Sequence, residues 1–177
     1  GTDADSWRFY YGTWLAGRGR QDDAIKMLST SKNGLAKVLL ARLLVQKKDM
    51  TGARNALEAV TEPWLQLHPQ VIIERDKVLR DLGIQTLAER EKWLSKVDAL
   101  KDEWVIERKV QLLIDKGEPK AAKDLLLSVP FQMVHQTYTR TGLWMQICKK
   151  LNIPAFPVPR QLGEDNLARF GAYREYK

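Results

Sequence analysis

The sequence is poor in the residues from which proteins build disulfides and metal sites. Its 177 residues include one cysteine, Cys148, and two histidines, His68 and His135. A single cysteine excludes a disulfide within the chain and any multi-cysteine metal site. It also favours a reducing compartment, so we expect a cytoplasmic location. Neither histidine has a cysteine or carboxylate at metal-ligand spacing, and we expect no metal or other cofactor.

Membrane-spanning runs and catalytic motifs are missing as well. No apolar run approaches the roughly 18 residues that a membrane helix needs, so no membrane partner is expected. The G-x-G-x-x-G, G-K-[ST] and G-x-S-x-G patterns are absent. Paired acids such as Asp22 and Asp23 stand where a predicted helix begins, and negative charge is favourable there without any catalytic role. The sequence therefore predicts a protein that is not an enzyme.

Basic residues are concentrated in the first third of the chain. The whole sequence carries a net charge of +7. Residues 6–54 hold ten basic residues against three acids. This asymmetry favours an acidic partner, although a solvated surface would have the same composition. Four of the cations flank two predicted turns and are expected to form one positive surface, here called the basic edge: Arg18, Arg20, Lys47 and Lys48.

A frame of 18 residues recurs four times, at 11–28, 40–57, 75–92 and 109–126. In each frame a leucine stands nine residues before an alanine, and three frames have glycine at the turn. Each frame predicts two amphipathic helices joined by a tight turn, with the alanine where the helices approach most closely. The glycines are therefore expected to be turns and not a phosphate-binding loop. The alanines are Ala24, Ala53, Ala88 and Ala122, and the glycines are Gly19, Gly83 and Gly117.

The spacing of apolar residues predicts an all-α chain. One domain is expected over 6–151, with residues 1–5 as a linker in which Gly1 is a cleavage remnant, so that the natural chain extends upstream. The last helix, through Leu143, Trp144, Ile147 and Leu151, is expected to cap the array. Residues 152–177 form a proline-rich segment and a tail. Helices are predicted near 6–18, 21–30, 34–47, 50–60, 70–82, 85–98, 103–116, 119–128 and 135–151.

The recurring frame resembles the tetratricopeptide repeat (TPR), a family of helix-turn-helix units. Gly12 and Ala41 match its small position in the first helix, whereas Asp76 and Val110 depart from it. The resemblance implies an α-solenoid of about four units and a non-catalytic scaffold that docks a peptide, a partner subunit or an upstream domain. It also implies a concave groove along the first helices of the units. The groove positions fall on Arg42, Gln46, Gln70, Lys77, Arg80, Trp104, Glu107 and Gln111.

The C-terminal stretch carries a second resemblance. The segments SVPFQMVHQTYTRTGLWMQICKKL and LGEDNLARFGAYREYK resemble the closing segments of uncharacterised bacterial proteins. In those proteins a domain similar to galactose mutarotase precedes TPR-like repeats. The resemblance implies the repeat region of a carbohydrate-related protein, with sugar binding at the groove or docking of the mutarotase-like domain as an alternative function.

Two alternative readings concern the basic and aromatic residues. Nucleic-acid binding through the basic first third is disfavoured, because no side chain recurs at matching repeat positions as in the helical repeats that read RNA. The six tryptophans are expected mostly to pack between helices, and Trp104 is expected to face the groove. They are Trp7, Trp14, Trp64, Trp93, Trp104 and Trp144.

Overall fold

The structure is a computed structural model that describes residues 2–97, 102–128 and 136–162. It divides into two compact units, residues 1–97 and 98–177. Across the described ranges the secondary structure is helical, without strands, which confirms the predicted all-α class. Short 3₁₀ helices span Ile84–Thr86 and Arg160–Leu162. The α-helices are α1 (Thr2–Gly17), α2 (Gln21–Ser29), α3 (Gly34–Gln46), α4 (Met50–Glu58), α5 (Pro63–Gln66), α6 (Pro69–Leu82), α7 (Leu87–Ser95), α8 (Glu103–Asp115), α9 (Pro119–Ser128) and α10 (Gln136–Leu151).

Helix α1 begins four residues earlier than the apolar pattern predicts. The segment expected as a linker forms its first turn from Thr2 onward. The Asp5 carboxylate accepts hydrogen bonds from the Ser31 hydroxyl at 2.8 Å and the Lys32 backbone N–H at 3.0 Å. These bonds hold the first turn of α1 against the connection between α2 and α3. The short helix α5, which begins at Pro63, is not among the helices predicted from the sequence.

The turns within the hairpins have the left-handed backbone that the glycines indicate. Gly19 and Gly117 have φ angles of 75° and 77°. In the second frame Lys48 takes the same conformation, with φ 63°. The next residue, Asp49, caps α4 by accepting a hydrogen bond from the Gly52 backbone N–H at 2.8 Å. Gly19 and Gly117 are therefore turns, as predicted, and Lys48 is a third, because αL backbone ends the first helix of these three hairpins.

The first unit stacks three hairpins, α1–α2, α3–α4 and α6–α7. Helix α3 contacts both helices of the hairpin before it, as does α6, so the first helices α1, α3 and α6 touch in series. Ala24 and Ala53 are fully buried at the crossings, as predicted. A Cβ on Gly12 would lie 2.6 Å from a methyl carbon of Leu28. The small residues of the frame are thus required by the close approach of paired helices.

The third hairpin differs from the predicted frame. Ala88 is exposed, and the buried residues of α7 include Arg90 and Leu94. The 3₁₀ turn after Gly83 shifts the buried face of α7 by two residues. Arg90 Nε donates to Asp76 Oδ1 at 2.8 Å, and both side chains are 1% exposed. An ion pair therefore replaces the contact between small residues at this crossing.

The second unit packs α8, α9 and α10 together. Leu143, Trp144 and Ile147 of α10 are buried in one cluster with apolar residues of α8 and α9, which confirms the predicted capping helix. The segment after α10 joins the same cluster through Val158 and Leu162. Val158 and Leu162, which belong to the predicted proline-rich segment, are therefore part of this core. The rest of the predicted tail, 163–177, lies outside the described residues, as does His135.

Candidate functional site

The open surface of the first unit carries five of the predicted groove residues. Arg42 and Gln46 lie on α3 and are exposed. On α6, Lys77 and Arg80 are exposed and Gln70 is half-buried. The outward sides of the two helices meet where Arg42 Nε lies 3.9 Å from Glu74 Oε1. The structure thus places these five residues on α3 and α6, which are the first helices of neighbouring hairpins in the first unit.

The three groove residues of the second unit have different surroundings. Trp104 is 37% exposed, whereas Glu107 and Gln111 are buried. Gln111 Nε2 donates to Gln146 Oε1 at 3.0 Å, and Arg140 Nε lies 3.3 Å from Glu107 Oε1. Both partners belong to α10, which covers this side of α8. Glu107 and Gln111 are therefore not part of an open groove, because the capping helix packs where the groove positions of α8 lie.

Glu107 is a buried carboxylic acid that lies beside a buried arginine, Arg140. Burial raises its pKa to about 7, although the charge and hydrogen bond of Arg140 act in the opposite direction. Glu103 raises this pKa further and Arg108 lowers it. The Arg140 side chain is 1% exposed, and its Nη2 lies 3.8 Å from Glu103 Oε2. A carboxyl that titrates in the neutral range therefore lies at the contact between α8 and α10.

This carboxyl predicts a pH dependence for the second unit. The folded unit binds the Glu107 proton more tightly than the unfolded chain, whose reference pKa is 4.5. The stabilisation is fully present below pH 4.5 and is lost as the pH rises through about 7. Relative to Glu107→Gln, the parent should lose about 2–3 kcal/mol of unfolding free energy between pH 5 and pH 8. Urea unfolding followed by hydrogen exchange in α8 measures the difference. Parallel pH profiles of the two proteins would contradict it.

Acids lie among the four cations of the predicted basic edge. Arg18, Arg20, Lys47 and Lys48 are all exposed at the first two hairpin turns. Arg20 Nη2 lies 2.7 Å from Asp23, and Lys47 Nζ lies 2.9 Å from Asp22. Asp49, the cap of α4, follows Lys48 directly. The field of the edge is therefore weaker than a count of cations suggests, since each acid lies within the distance over which charges act.

The prediction that the tryptophans mostly pack between helices is wrong for several of them. Trp7, Trp14 and Trp64 are 57%, 49% and 64% exposed. Trp144 is buried as expected. Trp93 is half-buried, with the Arg75 guanidinium 3.7 Å and the Lys96 ammonium 4.1 Å from its ring centre. Sequence reasoning missed the exposed aromatic residues of α1, although the spacing of Trp7 and Trp14 places them on one side of a helix.

His68 and Cys148, the remaining candidate residues, contribute to capping and to the core. The Nδ1 atom of His68 accepts from the Gln70 backbone N–H at 3.3 Å and caps α6. Burial raises the pKa of the Cys148 thiol, which lies in the core of the second unit. Within 2–97, 102–128 and 136–162, no cluster of three or more His, Cys, Asp or Glu residues could hold a metal ion. Over the same ranges no helix is both long and apolar enough to cross a membrane.

Comparison with known proteins places the chain among helical-repeat domains. A family model described as "-like, C-terminal domain" matches residues 1–147. A TPR-domain containing protein from Parabacteroides distasonis, known from a crystal structure, is 59% identical with a TM-score of 0.85. The alignment covers 90% of this chain and 28% of that one, so the chain spans little more than a quarter of its relative. No curated protein matches the sequence.

Proposed function

Because the chain belongs to the C-terminal-domain family whose model matches it, and because its hairpins are TPR-like, we propose that it is a non-catalytic protein-interaction scaffold. The observation that carries this proposal is the open cationic surface on α3 and α6. Arg42, Lys77 and Arg80 are exposed there on helices fixed by the core beneath them. The ligand is an acidic protein segment, from a partner protein or from an upstream part of the same polypeptide.

The chemistry of this surface favours carboxylates. Three cations stand on it, against two acids, the exposed Asp81 of α6 and Glu74 beside Arg42, which is 19% exposed. Gln70 adds an amide that both donates to and accepts from a peptide backbone, and Gln46, whose Oε1 accepts from Gln21 Nε2 at 2.8 Å, adds an amide donor. Cations of this kind attract an acidic segment and fix its position, with an affinity that falls as salt rises. A mutarotase-like upstream domain and a cytoplasmic location stay predictions.

Two variants with the same charge change test the groove against the basic edge. Arg42→Glu with Lys77→Glu reverses two groove cations, and Lys47→Glu with Lys48→Glu reverses two edge cations. Fluorescence anisotropy with a labelled glutamate-rich peptide measures binding over a salt series. The groove variant should weaken binding by about tenfold at low salt. The edge variant should stay within about twofold of the parent, because acids already lie among the edge cations.

Each contrary result has a definite meaning. Equal loss in both variants would show a diffuse charge effect and no groove. Loss in the edge variant alone would move the docking surface to the basic edge. If the parent protein does not bind the acidic peptide but binds a single-stranded RNA oligonucleotide with a steep salt dependence, nucleic-acid binding would replace the proposed function.

A further inference from the structure

Helix α1 carries four aromatic residues on one side, here called the aromatic face: Trp7, Tyr10 and Trp14, which are exposed, and Tyr11, which is half-buried between the two tryptophans. The rings of Trp7 and Tyr11 stack with centroids 4.9 Å apart, and those of Tyr11 and Trp14 with centroids 5.8 Å apart. Tyr10 is 70% exposed, the largest exposed fraction of the four. Rings stacked on one another in this way form a preorganised apolar surface with little side-chain entropy to lose on binding.

The same positions are buried in the next two hairpins. Counted from the small position, Trp7 and Trp14 of α1 correspond to Ala36 and Leu43 of α3, and to Val71 and Val78 of α6. Ala36 and Leu43 are 0% and 4% exposed, in one cluster with Leu15, Ala24 and Leu28 of the preceding hairpin. Val71 and Val78 are each 1% exposed, in a cluster with residues of α3 and α4. In both hairpins this side of the first helix packs onto the hairpin before it.

We infer that the aromatic face is the seat of a preceding helical hairpin of the same polypeptide. The terminal unit of a repeat array needs a polar outer side, and here that side is aromatic. The matching family is a C-terminal domain, and the TPR-domain relative is mostly chain outside the matched region. Only residues 30–33 separate α2 from α3, so a hairpin placed before α1 reaches the face through a similarly short connection.

This inference is independent of the acidic ligand proposed above. The aromatic face lies on α1, and the cationic surface lies on α3 and α6. Loss of peptide binding in the groove variant leaves the aromatic face untouched, and the reverse also holds. Each proposal therefore fails on its own experiment.

Hydroxyl-radical footprinting with mass spectrometry tests the inference. The 177-residue chain is compared with the natural polypeptide extended upstream by about 40 residues, enough for one hairpin. Oxidation of Trp7 and Trp14 should fall about fivefold or more in the extended chain, since the matching positions of α3 and α6 are buried. Trp64, which is 64% exposed on α5, is the matched control and should be oxidised equally in both proteins.

Three results would overturn the inference. Equal oxidation of Trp7 and Trp14 in both proteins would leave the face without an upstream occupant. Protection that requires the complete natural N-terminal part, and not the adjacent 40 or so residues, would assign the face to a more distant domain. Protection of the 177-residue chain that rises with its concentration, with a dimer in sedimentation, would assign it to a second copy.

Discussion

Replacing Asp76 with alanine should lower the free energy of unfolding of the first unit by about 3–5 kcal/mol. The change leaves the Arg90 guanidinium buried without the carboxylate whose two oxygens lie 2.8 and 3.3 Å away. Removing one partner of a buried ion pair costs more than the pair contributes, because that partner no longer offsets the desolvation of the remaining charge. Hydrogen exchange at the amides of α6 and α7 measures the loss.

Asp81 provides the matched control, because it is an exposed aspartate on the same helix. Asp81→Ala should change the unfolding free energy by no more than about 0.5 kcal/mol. The double variant Asp76→Leu with Arg90→Met should recover most of the stability, since an apolar pair carries no desolvation penalty. An Asp76→Ala protein as stable as Asp81→Ala would show that the pair does not hold α7 against α6.

The hairpins could be predicted from the sequence because their determinants are local. A leucine and a small residue at fixed spacing, with a turn residue between them, describe two helices that must cross closely. Ala24, Ala53 and Ala122 are each fully buried at the predicted positions. The second frame has Lys48 in place of glycine at the turn, but the next residue, Asp49, is of a type that commonly caps helices and so marks the start of α4.

The third frame shows where the same reasoning fails. Gly83 stands at the turn position of the frame, but its φ of 122° leads into a 3₁₀ turn and not directly into α7. The extra turn moves Arg90 to the place that the frame gives to Ala88. An ion pair between residues 14 apart has no periodic signature, so the pairing of Asp76 with Arg90 could not be read from spacing.

The helices on which the candidate residues lie could be predicted from the sequence, but the helices that cover some of their side chains could not. The repeat register placed Arg42 and Lys77 on the exposed sides of first helices, and the structure exposes both. It could not show that α10 covers Glu107 and Gln111, because that contact joins residues about 35 positions apart. Exposure of a groove position depends on what packs over the helix, and a repeat pattern describes only the helix itself.

Deleting residues 131–177 should expose the core of the second unit and promote association of the shortened chain. The deletion removes Leu143, Trp144 and Ile147, which are buried against apolar residues of α8 and α9. It leaves Val110, Ile114, Ala122 and Leu126 without this cover. Repeat arrays need a terminal element with a polar outer side to remain monomeric. Sedimentation velocity over a concentration series measures the association.

A point variant separates the role of the cap from the effect of a large deletion. Trp144 is 5% exposed, and its indole N–H donates to the Ala155 carbonyl at 2.8 Å. Trp144→Ala leaves a cavity and an unpaired carbonyl, so it should cost about 3–5 kcal/mol. Trp64→Ala, at a tryptophan that is 64% exposed, should cost less than about 1 kcal/mol. If the shortened chain stays monomeric and the two tryptophan variants unfold alike, then α10 lies on the second unit without stabilising it.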